Sequence, residues 1–237
     1  MKRFYKTATA GEVEGAPAIL LDGRPVRTPG RRLLAVPNPA LAAAVAAEWA
    51  GQAETIRPEA MPLTRLVNTV VDQLPAKRDD AVTEVMGYGA ADLLCYRHAS
   101  PADLGERQAR LWQPWLDWAA EALAAPLVTT LTVEPIPQPE ASLAALTKAA
   151  EALDDWQLVG LHAATRLTSS LILGFAMARG VLAARPAFAS AFLEELYEIE
   201  RWGLEEEQAR RHAVLEAELQ AVEVYFEALT HLTPSGN

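Results

Sequence analysis

Two periodicities divide the chain. In residues 3–36 short apolar runs alternate with turn residues. Ala18-Ile19-Leu20-Leu21 leads into Asp22-Gly23 and then Arg24-Pro25-Val26-Arg27, a strong hairpin signal because both turn residues must accept φ > 0. A second turn falls at Thr28-Pro29-Gly30, and Leu33–Val36 reads as a third strand, which makes a small antiparallel meander. Its Arg24, Arg27, Arg31 and Arg32 suit an anion or an acidic partner, or serve as edge charges that block aggregation. Asn38-Pro39 then gives an N-cap and N1 pair for a covering helix over 40–53, with Leu41, Val45 and Trp49 four apart. Two prolines in Thr55–Pro62 mark a linker. From Pro62 onward helical spacing dominates, beginning with Leu63, Leu66, Val67, Val70 and Val71. Ser100-Pro101 is expected to open a long helix carrying Trp112, Trp115 and Trp118, which Pro114 should kink or break. Residues 127–133 are β-branched and extended, and Pro135, Pro137 and Pro139 stiffen the connector behind them. Asp155 is expected to cap one buried helix from Trp156 to Arg179, whose Arg166 needs a carboxylate from elsewhere. The last helix should run from about Glu206 to Leu232. The expected class is therefore α+β: a small N-terminal antiparallel β-rich domain with a covering helix (1–60), then a larger, mostly α-helical domain (61–237) with an extended insert near 127–139.

Leu193–Arg211 stands out as one strongly acidic helix, with seven Glu and one Arg between Glu194 and Glu207. At helical spacing Phe188, Phe192, Leu196 and Ile199 share a face, and Leu193, Tyr197 and Leu204 form a second strip. Glu194, Glu198, Arg201 and Glu205 point away from both. Glu195 and Trp202, two turns apart, sit on the shoulder of the first face. A carboxylate beside an indole there is placed to meet another molecule, or else to reach a core Arg or a helix end.

Composition narrows the classes. Half of the 237 residues are hydrophobic, enough for a sizeable core. A net charge of −10 disfavours nucleic acid. The single Cys95 excludes an internal disulfide and a cysteine-based zinc site, and fits a reducing compartment. The start MKRFYKTATA has no apolar signal core, and Leu171–Ala178 is far too short to span a bilayer, so a soluble cytoplasmic monomer is expected. Phosphate-loop, dinucleotide, zinc-protease and nucleophile-elbow motifs are absent, and the four histidines lack ligand spacing. No cofactor and no metal are expected.

Blocks spread through the chain resemble a known family, the F1-ATPase assembly chaperones that bind the α subunit. They are Asp22-Gly23-Arg24-Pro25 with Arg27-Thr28-Pro29; Glu48-Trp49 with Gln52; Met61-Pro62-Leu63-Thr64-Arg65 through Asn68; Asp92-Leu93-Leu94-Cys95-Tyr96-Arg97; Gln108 with Trp112, Pro114 and Trp118; and Tyr197 through Trp202-Gly203. Gln113 departs from the family's usual Asp before Pro114, and Leu204-Glu205 from its Glu-Asp after Trp-Gly. The resemblance implies no enzymatic activity, a cytoplasmic protein in bacteria and a mitochondrial matrix protein in eukaryotes. It also implies a client, the free F1 α subunit, whose interface is shielded until the β subunit takes over. The family's acidic position falls on Glu195, so Glu195, Tyr197, Glu198 and Trp202 are the expected partner-binding residues. One alternative is a small-molecule enzyme with an interdomain site around Arg65, Asp92, Cys95 and His98. A second is a structural subunit of a larger acidic assembly.

Overall fold

The computed structural model describes residues 1–230; His231, and the expected helix end at Leu232, lie outside them. Asp22 and Gly23 adopt φ of 48° and 78°, and the turn joins strand β2 (Ala16–Leu21) to the two-residue β3 (Arg24–Pro25). A second left-handed pair, Glu14-Gly15, joins β1 (Ala8–Val13) to β2, with Ala8 opposite Leu21 and Val13 opposite Ala16. The sheet is antiparallel in the order β1-β2-β3. Leu33–Val36 makes only isolated bridges, Arg27 to Leu33 and Ala18 to Ala35, so the expected third strand reduces to an extended arm. Helix α1 (Pro39–Ala50) lies across the sheet and buries Leu41, Ala42, Val45 and Ala46. Its cap is as expected: the Asn38 side chain accepts from Leu41 N at 2.8 Å, and its amide donates to Ala228 O at 2.7 Å.

Among the described residues nine α-helices follow: α2 (Pro62–Asp72), α3 (Leu74–Ala90), α4 (Ala102–Ala122), α5 (Glu140–Glu151), α6 (Asp155–Thr168), α7 (Leu171–Ala178), α8 (Ala184–Ala191), α9 (Leu193–Trp202) and α10 (Glu206–Thr230). On α2 the buried Leu63, Val67 and Val70 form one stripe at four- and three-residue spacing. Helix α10 packs against α1, α2, α6 and α8, and the buried apolar cluster is continuous from Ile19 of the sheet to Phe226 of α10. Two helix contacts need glycine. A Cβ at Gly160 would lie 2.5 Å from the Phe226 ring, and one at Gly174 2.5 Å from Thr165 Oγ1.

The structure corrects several expectations. The expected Trp156–Arg179 helix is two helices, because Ser169 turns left-handed (φ 53°). The freed N–H groups of α7 are taken up by polar side chains, Leu173 N by Ser170 Oγ (3.1 Å) and Ile172 N by Asp92 Oδ2 (3.1 Å). Asp154, not Asp155, caps α6, accepting from Gln157 N at 2.8 Å. Arg166 is exposed and meets Glu84 of α3 at 3.7 Å rather than the acidic helix. Pro114 does not break α4, because it and Arg110 are exposed and solvent can take the freed carbonyl. Pro101, not Ser100, is the N-cap of α4. Of the three tryptophans Trp112 is fully buried, its Nε1 donating to Ser190 O at 2.9 Å. The 127–133 segment is an extended arm held by one parallel bridge, with Thr130 N donating to Cys95 O (2.8 Å) and Arg97 N to Thr130 O (2.9 Å).

Candidate partner-binding site

The expected single acidic helix is broken. Gly203 (φ 90°) ends α9 one residue after Trp202, and α10 starts at Glu206. A side chain at that φ would be strained, so glycine makes the corner where the chain leaves α9. At this corner Trp202 is 86% exposed and Leu204 54%. With Glu198, Ile199, Gln208 and Arg211 they line an open recess of about 560 Å³.

The corner is held from below by α4. Tyr197 is buried, and its hydroxyl donates to Asp103 Oδ1 at 2.7 Å. Arg201 donates to Asp103 Oδ2 at 2.5 Å and lies 4.1 Å above the Tyr197 ring. The Tyr197 hydrogen bond, with Arg201 nearby, holds the Asp103 carboxyl below its ordinary range. Arg107 ties Glu200 at 2.7 Å, and Glu194 accepts from the buried Gln108 at 2.8 Å. Tyr197 is therefore a support of the corner and presents no surface. Likewise, Glu194 and Arg201 do not project freely as expected but are spent on α4.

Glu195 holds the corner from the side. Its two oxygens accept from Arg211 Nη2 at 2.6 and 2.7 Å, and Oε2 lies 2.9 Å from His212 Nε2. His212 is buried edge-on against Phe188, with ring centroids 5.2 Å apart. Partial burial pushes the Glu195 carboxyl up, but the His212 hydrogen bond and the Arg211 charge outweigh it and leave it below its ordinary value. Of the four expected partner-binding residues, the structure leaves Glu198 and Trp202 on the surface and sets Glu195 and Tyr197 as their braces. Leu204 belongs beside Trp202. Placing it in one apolar strip with Leu193 and Tyr197 missed this, although Gly203 carried the signal of a helix stop.

The alternative catalytic set does not converge. Arg65 pairs with Glu218 at 2.7 Å, and His98 Nδ1 lies 3.0 Å from Gln108 Nε2. Asp92 is fully buried and accepts from Leu94 N and Ile172 N, each at 3.1 Å. Burial lifts its carboxyl to about 6 despite these bonds. Cys95 is buried and pushed up to about 12 by burial and by Asp92, far from a reactive thiolate. Asp92 serves the N-terminus of α7, and Cys95 is part of the buried core. In another shared block Glu48 is structural: it caps α2 by accepting from Leu63 N and Thr64 N, each at 2.8 Å. Gln113, the departure before Pro114, still supplies an oxygen that accepts from Arg97 at 2.8 Å.

Comparisons with solved structures place the molecule in a chaperone class. It superposes on Atp12 from Paracoccus denitrificans with a TM-score of 0.87 and 39% identity, over 96% of this chain and 97% of that one. A variant of the same protein, with lysine for one aspartate, gives 0.86. Mitochondrial atp12 of Schizosaccharomyces pombe is 25% identical over 214 residues, 85% of this chain and 74% of its own length. The ATP12 chaperone protein family model matches residues 2–120. The chain belongs to the ATP12 chaperone family. No helix among the described residues is long and apolar enough to cross a membrane.

Proposed function

We propose that this chaperone acts in the assembly of ATP synthase and that its client is the free F1 α subunit, which it engages through the α9–α10 corner. The observation that carries the reading is a large indole exposed at the end of a helix that is tied to its neighbours on two sides. Trp202 stands 86% exposed on a corner fixed by Tyr197, Asp103 and Arg201 below and by Glu195, Arg211 and His212 at the side. An exposed Trp contributes affinity when it enters a partner's pocket, and a preformed support removes the ordering cost. Glu198, Glu205 and Glu207 around it favour a basic client surface and a contact that can be released. Family membership supports the chaperone role, and the shared sequence blocks support the α subunit as client.

The test is co-purification of F1 α subunit with the wild type, Trp202→Ala and Glu198→Lys. The variants are expected to melt like the wild type and to retain at least tenfold less client, about 1.4 kcal/mol or more. Unchanged retention by both variants would move the contact elsewhere.

A further inference from the structure

The β layer carries charge opposite to that of the rest of the chain. Residues 1–36 hold seven Lys or Arg against three Asp or Glu, in a chain of net charge −10. Arg24, Arg27 and Arg31 are exposed and reach no carboxylate among the described residues. Arg24 and Arg27 border a cleft of about 690 Å³ whose apolar wall is aromatic, formed by Phe4, Tyr5 and Trp49. Phe4 is 65% exposed, edge-on to Tyr5 at 5.4 Å. The Trp49 indole N–H is buried and has no acceptor among the described residues. The one carboxylate in the lining, Asp22, is already committed, accepting from Lys6 N and Thr7 N at 3.0 and 2.8 Å.

We infer that this cleft binds an acidic segment of a partner polypeptide that carries apolar side chains, the carboxylates meeting Arg24 and Arg27 and the apolar groups meeting Phe4. Charge complementarity selects the sign of the occupant, and the exposed Phe4 ring selects one that is more than a free anion. A short peptide feels the local field, whereas a nucleic-acid strand would also meet the repulsion of the acidic helices. Edge protection explains isolated arginines on β3 but requires no aromatic wall beside them. The inference rests on residues that the α9–α10 corner does not use.

The experiment uses full-length protein and a fluorescent hexapeptide, Glu-Glu-Phe-Glu-Glu-Leu, with its Lys-for-Glu counterpart and oligothymidylate as comparators, read by anisotropy. The acidic peptide is expected to bind, and to bind about tenfold more weakly between about 20 and 150 mM salt. The double variant Arg24→Glu/Arg27→Glu should bind about tenfold more weakly or worse at low salt. The Gln/Gln variant at the same positions should fall between, and Lys148→Glu on α5 should match the wild type. Edge protection alone predicts that reversal changes nothing, since Glu guards an edge as well as Arg. Equal binding by reversed and wild-type protein, no binding of the acidic peptide, tighter binding of oligothymidylate, or self-association at low salt that Arg24→Glu/Arg27→Glu abolishes would each overturn the inference.

Discussion

Trp202 and Asp92 are opposite uses of a residue that breaks the usual rule for its type. The indole sits in water and supports no packing, so Trp202→Ala should leave unfolding in denaturant within about 0.5 kcal/mol of the wild type. The carboxylate sits in the core and terminates α7. Asp92→Ala leaves the Leu94 and Ile172 N–H groups buried without acceptors and should cost about 2–4 kcal/mol in the same measurement. Asp92 also has a pH signature. Its folded value, about 6, lies above the ordinary carboxyl value of 3.8, so the stability it contributes is full below that lower value and is lost as pH rises through 6. Between pH 7 and pH 4 the wild type should gain about 2–3 kcal/mol relative to Asp92→Ala. Parallel pH profiles would contradict the raised value.

At the scale of elements, the α9–α10 corner is closed by one carboxylate between two helices. Glu195→Lys would set a second cation beside Arg211 and remove the carboxylate that His212 contacts. It should free α9 from α10 while α4, α6 and α7 stay protected, with faster amide exchange confined to residues 193–205. Glu195 has the opposite pH sign from Asp92. Its folded value is depressed, so its contribution is present above its ordinary value of 4.5 and is lost as pH falls through the folded one. Amide protection in α9 should therefore drop in acid before the core loosens. Much of this corner was legible in sequence. Helical spacing singled out Glu195 and Trp202 because both sit off the apolar faces. What the spacing could not show was the break at Gly203, nor that Arg211 and His212 return to Glu195 across it. The same limit split the expected Trp156–Arg179 helix. A run of apolar residues at helical period continues through Ser169-Ser170, and besides the local Ser170 cap the fresh N-terminus there relies on the Asp92 carboxylate from a distant 3-10 turn. Asp22-Gly23 and Asn38-Pro39, by contrast, form local turns and caps whose partners lie within a few residues, and both formed as read.

For the whole molecule, the sheet, α1 and α10 share one apolar cluster, and the surface divides into a basic β layer and an acidic helical side. Close helix contact holds that cluster together. Gly160→Ala should cost about 1–3 kcal/mol, because the new Cβ meets the Phe226 ring. The charge division, with Trp202 exposed on the acidic side, fits a protein that occupies another polypeptide's surface for a time. The direct measurement is retention by the immobilised full-length protein of purified free F1 α subunit, against α subunit already assembled in F1. The account predicts that free α subunit is held and that assembled F1 passes through. Equal retention of the two, or of neither, would contradict it.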